Sequence, residues 1–140
     1  MIPKLEKHLK GDKEHRIRVK LDDRYLIGFC DHYCPVKKIL NENKTTQDPN
    51  RWNQVSVDNH GQLTMYSLML FLRDGTLPHE LEIWLNVILV ENREFGGLHI
   101  PDPENFYRIK TERSVKQCLD FGANLKRTLK DMENYACTLV

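Results

Sequence analysis

His15-Arg16-Ile17-Arg18-Val19-Lys20-Leu21-Asp22-Asp23-Arg24-Tyr25-Leu26-Ile27-Gly28-Phe29-Cys30 carries the clearest structural signal in the chain. Ile17, Val19 and Leu21 alternate with Arg16, Arg18 and Lys20, which gives one apolar and one cationic face. After Asp22-Asp23 a second run sets Tyr25, Ile27 and Phe29 against Leu26, Gly28 and Cys30. Side chains on a strand alternate faces with period 2, so two such runs around a polar pair predict an antiparallel hairpin. The second run is apolar on both faces and is expected to lie deeper in a sheet, with Tyr25 and Phe29 turned to the core.

Downstream, Cys34-Pro35-Val36-Lys37-Lys38-Ile39-Leu40 predicts a short helix with proline in its first turn. Residues 41–61 are polar and rich in Asn, Asp, Pro and Gly, and predict a long loop with a short strand at Gln54–Val57. Trp52 is the one large anchor in it. Upstream, Ile2, Leu5 and Leu9 predict a short helical arm over residues 1–12, opened by Pro3 and stopped by Gly11.

Beyond residue 63 the period becomes helical. Met65, Leu68, Met69 and Leu72 fall on one face of a helix over 64–73, closed by Asp74-Gly75. Pro78, Glu80 and Glu82 predict the start of another over 78–91, apolar almost all round. Residues 92–110 form a connector pinned by Phe106, Tyr107 and Ile109. A final helix over 112–136 opens with the capping pair Ser114 and Gln117. Val115, Cys118, Gly122, Leu125, Leu129, Met132 and Ala136 follow at 3-4 spacing, a heptad seam in which Gly122 admits a close neighbour.

These elements predict an α+β fold: a small antiparallel sheet with an N-terminal hairpin, then a helical part ending in a long amphipathic helix. The organisation reads as a hairpin region with a polar loop over 1–60 and a helical region over 61–140, together one compact unit.

Composition sets the limits on function. The 140 residues are 40% hydrophobic and 29% charged, with Lys plus Arg 21 against Asp plus Glu 20, a net charge of +1. Near-neutral charge gives no global attraction to nucleic acid or membrane, so such binding would need a local patch. The charged start and the lack of a long apolar run point to a cytoplasmic protein without membrane partners. The four cysteines are then expected as free thiols.

Several clusters could carry chemistry. Cys30, His32 and Cys34 are zinc-type ligands within one short segment, but a structural site needs four, and His8 or His15 would have to complete it. No other cofactor is expected. A thiol-imidazole pair could form from Cys30 or Cys34 with His32, His60 or His79, which would make a cysteine-dependent enzyme. Arg16, Arg18 and Lys20 form a basic ridge able to hold phosphates, helped by Lys126, Arg127 and Lys130 on the last helix. A helix-turn-helix centred on Gly122 fails, because Thr128 and Asp131 stand where apolar residues are required. His79-Glu80 lacks the second histidine of a zinc-protease helix. The terminal Cys137-Thr138-Leu139-Val140 fits a prenylation or groove-binding tail only loosely.

No phosphate loop, nucleotide fingerprint or serine elbow is present. The leading expectation is therefore a non-enzymatic binding or regulatory protein with a macromolecular protein partner. Its contacts would be Trp52, Gly122, Leu125, Leu129 and Met132, and the seam could also form a homodimer. Small phage-encoded inhibitors, such as anti-CRISPR proteins, share this general profile. The alternatives are a nucleic-acid-binding accessory protein using the basic strand face, and a small zinc- or cysteine-dependent enzyme.

Overall fold

The computed structural model describes residues 12–93, 97–99 and 106–138. The expected N-terminal arm, apart from Asp12, lies outside them, as do His8, Leu139 and Val140. The alternation at 15–30 forms the hairpin: β1 (Asp12–Leu21) pairs antiparallel with β2 (Arg24–Cys34), Ile17 opposite Gly28 and Leu21 opposite Arg24. Asp22 makes the turn with φ 58°, a left-handed value that Asp tolerates.

β2 continues through a turn at residues 35–38 into β3 (Ile39–Thr46). The helix expected at Cys34–Leu40 is thus a turn and a strand, and the expected loop begins as a strand. Short polar strands escape a hydrophobicity reading because their partners, not their side chains, hold them. Gln54–Val57 also differs from expectation. It belongs to a short helix, α1 (Gln54–Asp58), capped reciprocally by Asn53 and Ser56. α2 (Gly61–Asp74) follows, as the 3.6-residue period predicts, and Gly75 closes it.

The largest correction is at 78–91. Pro78–Glu80 makes a single 3-10 turn, and Glu82–Leu89 is strand β4. Its Ile83, Leu85 and Val87 enter the core on one face, while Trp84, Asn86 and Ile88 point to the other. β4 runs parallel to β3 and antiparallel to β7 (Phe106–Thr111). An interior strand is apolar on both faces, and that pattern cannot be told from a buried helix by periodicity alone. The expected connector likewise holds β5 (Glu91–Arg93), β6 (Gly97–His99) and β7, the first two forming a separate ribbon.

The main sheet has the order β1-β2-β3-β4-β7. The architecture is α+β: a five-stranded, mostly antiparallel sheet begun by the hairpin, and a long C-terminal helix, α3 (Val115–Thr138). β3 and β4 pair across residue 60, so one sheet joins the two halves of the chain. α2 covers one face through Leu63, Tyr66, Met69 and Leu70. Gly28 makes that contact close: a β-carbon there would stand 3.1 Å from the Tyr66 ring.

α3 opens with the expected cap. Ser114 N donates to Gln117 Oε1 at 2.8 Å, and Gln117 N donates to Ser114 Oγ at 3.1 Å. Cys118 and Gly122 are buried against α2. Farther along, Lys126 and Glu133 bridge to the hairpin, at Asp22 (3.2 Å) and Arg24 (2.6 Å). Among the described residues no helix is long and apolar enough to cross a membrane.

Candidate functional site

β2 and β3 pair over three rungs only, from Cys34 opposite Ile39 to His32 opposite Asn41. Beyond that rung they part. Cys30 and Tyr33 both enter the core although they are three residues apart, so the alternation of β2 slips at Asp31–His32. The rung of Glu14 and Asp31 is missing from the β1–β2 ladder, and Glu14 has a φ of 51°. Such irregularity re-aims a side chain. Here it sets Asp31 beside Glu42 of β3.

Asp31 is held in place by the next strand, since the Asn43 amide donates to its Oδ2 at 2.7 Å. Glu42 is only 4% exposed. Its Oε2 is buried without a hydrogen-bond partner. Burial pushes the Glu42 carboxyl up to about 9, and the neighbouring Asp31 carboxyl adds to the rise, while Lys44 opposes it. A buried carboxyl beside a second one resists ionisation unless a cation compensates.

Lys44 lies two residues after Glu42 on β3, so both face α2. Its Nζ donates to Gln62 Oε1 at 2.8 Å. Gln62 Nε2 donates to Tyr66 Oη at 3.0 Å, and Tyr66 Oη donates to the Phe29 carbonyl at 2.7 Å. Gln62 and Tyr66 are four apart on α2, hence on one face of the helix. His60 Nε2 lies 3.3 Å from Gln62 Oε1, and its ring meets Trp52 edge-on at 5.0 Å. Burial lowers the His60 pKa.

The corner before α2 is fixed from behind by Arg113, one of the largest fully buried side chains. Its guanidinium donates to Thr64 Oγ1 (2.8 Å), Thr111 Oγ1 (2.6 Å) and the carbonyls of Val57 (2.8 Å) and His60 (3.2 Å).

The residues singled out from sequence fall elsewhere or in part beside this cluster. Cys30 is buried, its thiol lies 3.6 Å from the His15 carbonyl, and burial pushes its pKa up to about 12. Cys34 is half-buried and His32 buried. Among the described residues no group of three or more His, Cys, Asp or Glu is arranged for a metal ion. Arg16, Arg18 and Lys20 line the face of β1 turned away from the core. Lys126 is engaged by Asp22, Arg127 by Asn124 (2.7 Å), and Lys130 is exposed on α3. Trp52 packs on the core beside His60, with Arg51 over its ring. Gly122 faces the Leu68 side chain, Leu125 and Leu129 are half-buried, and Met132 is 62% exposed. Tyr25 and Phe29 overturn the expectation that they point inward: they are 53% and 52% exposed.

Sequence reading missed Asp31, Glu42, Lys44, Gln62 and Tyr66 as a group. The usable signal was a carboxylate and a lysine two apart, with a glutamine and a tyrosine four apart downstream. A concavity of about 440 Å³ lies apart from this cluster, lined by Gln54, Asp58, Lys110, Thr111, Glu112 and Gln117. Its Asp58 is already occupied by Gln54 (2.9 Å) and Thr111 (2.7 Å).

No family model and no curated protein matches the sequence. The fold is similar to that of the protein SSO0001, at 13% identity and a TM-score of 0.52, over 91% of this chain and 55% of that one. It is also similar to that of a Eubacterium rectale protein named as a candidate exonuclease, at 12% identity and a TM-score of 0.53, over 91% of this chain and 47% of that one. The chain thus spans about half the length of these two structures, and the likeness is one of fold.

Proposed function

We propose that the chain hydrolyses phosphodiester bonds of nucleic acid, with a divalent cation held by Asp31 and Glu42. The buried, unpartnered Oε2 of Glu42 beside the Asp31 carboxyl carries this reading. Two carboxylates suffice for a magnesium-type ion, which keeps several waters and takes further oxygens from a substrate phosphate. A bound ion would supply Lewis acidity and a more acidic water. The oxygen-only pair suits Mg²⁺ or Mn²⁺ rather than zinc.

The protein's own groups take the remaining roles. Lys44 places a positive charge where the phosphoryl oxygens gain negative charge. Gln62 orients Lys44, and Tyr66 orients Gln62 by anchoring it to the Phe29 carbonyl. In the reaction a water oxygen bonds to phosphorus and the P–O bond to the leaving sugar oxygen breaks. The water loses a proton and the leaving oxygen gains one, giving a phosphomonoester and a hydroxyl. The name of the Eubacterium rectale protein supports the same class.

Purified protein is incubated with end-labelled single-stranded and duplex DNA, with Mg²⁺, Mn²⁺ or EDTA. Cation-dependent cleavage that disappears in Glu42→Gln and Lys44→Ala supports the proposal. Cleavage by the wild type no faster than by Lys44→Ala removes it.

A second reading, contact of α3 with a protein partner or a second copy, rests on Met132 and Tyr135, both well exposed near its end. Light scattering tests the homodimer form. A dimer that Met132→Asp converts to monomer supports it, and a wild-type monomer removes it.

A further inference from the structure

The side of the hairpin turned away from α2 has a chemistry the fold does not use. On β2, Gly28 and Cys30 face the core, so Tyr25, Ile27 and Phe29 face out, each about half exposed at 51–53%. On β1, Ile17 and Val19 are buried, so Arg16, Arg18 and Lys20 face out beside them. The register sets Arg16 opposite Phe29, Arg18 opposite Ile27 and Lys20 opposite Tyr25. A column of cations therefore lies against a column of large apolar side chains. Among the described residues no carboxylate pairs with the three cations. Arg18 lies over the Tyr25 ring, 3.9 Å from its centre, which steadies both groups.

We propose that this face binds an unpaired nucleic-acid strand and leads it to Asp31 and Glu42, an inference that rests on the phosphodiesterase reading above. Cations hold the phosphates and rings receive the bases, the combination that recognises single strands. Alternate side chains of a strand are about 7 Å apart. That is twice the roughly 3.4 Å thickness of a stacked base, so one base fits between neighbours in the row. A duplex hides its base faces inside the stack and offers these rings nothing comparable.

Continuity with the site supports this occupant. Asp31 lies two residues beyond Phe29, and the Phe29 carbonyl holds Tyr66. Tyr25, Ile27 and Phe29 face one side of the sheet, whereas Lys44 and Gln62 meet on the other. The two strands part between these faces: residues 24–30 of β2 pair with β1 alone, residues 43–46 of β3 pair with β4 alone, and the Asn43–Asp31 hydrogen bond spans the parting. A strand bound along Tyr25, Ile27 and Phe29 and running toward the end of the row reaches this parting at Asp31.

The test measures anisotropy of a labelled oligo-dT and of a blunt duplex of equal length. It uses the full chain with Ca²⁺ in place of Mg²⁺ and repeats the titration across salt concentrations. Single-strand binding at least tenfold tighter than duplex binding, and weakening steeply with salt, is expected. Tyr25→Leu with Phe29→Leu keeps the apolar area and removes the rings, and should weaken binding tenfold or more. Arg18→Gln with Lys20→Gln should lower the salt dependence. Equal binding by the leucine variant, or a preference for duplex, overturns the proposal. So does capture of a protein by this face with no single-strand affinity. Hydrolysis of bis(4-nitrophenyl) phosphate with Mn²⁺ keeps the two readings apart. It should be unchanged in Arg18→Gln with Lys20→Gln, whose side chains lie on the face away from Lys44 and Gln62. Its absence from the wild type, with ring-dependent strand binding intact, would remove the catalytic reading and leave the binding face standing.

Discussion

Lys44 of β3 and Gln62 in the first turn of α2 are joined by a 2.8 Å hydrogen bond from Nζ to the side-chain carbonyl. They are 18 residues apart, and the crossover between parallel strands brings them together. Without Gln62 the four-carbon stem of lysine would sample many positions. Gln62→Ala is expected to lower turnover of a DNA substrate about 10- to 100-fold, as loss of an orienting partner does. Lys44→Ala should cost about 100- to 1000-fold. Melting temperatures should change little, which separates positioning from folding.

Glu42 makes stability depend on pH in a definite direction. Its carboxyl rises from 4.5 to about 9 on folding, by burial first and the Asp31 carboxyl next. Between those limits the folded state holds more protons than the unfolded one, so stability falls as pH rises. The contribution is complete below about 4.5 and lost as pH approaches 9. Glu42→Gln should therefore raise Tm at pH 8 by several degrees, an effect on the order of 1–3 kcal/mol. Mn²⁺ should raise the wild-type Tm and leave the variant unmoved. Thermal melts from pH 5 to 9 check both.

Arg113 is a buried cation whose loss removes several charge-assisted hydrogen bonds at once, although the Val57 and His60 carbonyls keep the backbone amides of His60 and Thr64 as donors. Its bonds to Val57 and His60 fix the corner that starts α2. Arg113→Met should destabilise by about 2 kcal/mol or more, since a hydrogen bond from a charged donor is worth about 1.5–3 kcal/mol. Urea unfolding measures this.

Gly122 lies where a β-carbon would stand 3.3 Å from Leu68 Cδ2. That neighbour is a flexible side-chain end, so Gly122→Ala should be near neutral, the strain offset by roughly 1 kcal/mol of helix propensity. Gly122→Leu should destabilise by about 1–3 kcal/mol through overpacking. Adding Leu68→Ala to it should recover part of the loss in the same unfolding assay.

The four thiols should separate by access. Cys137 is exposed and Cys34 half-buried, whereas Cys30 and Cys118 are buried with raised pKa values. A disulfide reagent at pH 8 should modify Cys137 within minutes and reach Cys30 and Cys118 only on unfolding. Mass spectrometry of timed samples reads this directly.

What the sequence determined by itself was local. The alternation at 15–30, the 3.6-residue period at 64–73 and the Ser114–Gln117 cap each depend on residues close in the chain, and each appears where expected. Tertiary structure decided the rest. Glu82–Leu89 became a strand because β3 and β7 supply partners on both sides, and the polar Asn41–Thr46 became a strand because β4 pairs with it. Tyr25 and Phe29 turned outward because Gly28 and Cys30 took the side facing α2. The candidate site is wholly of this second kind. Asp31, Glu42, Lys44, Gln62 and Tyr66 carry no shared pattern that period or composition detects. They meet because two strands part at Asp31 and a helix crosses beside the gap.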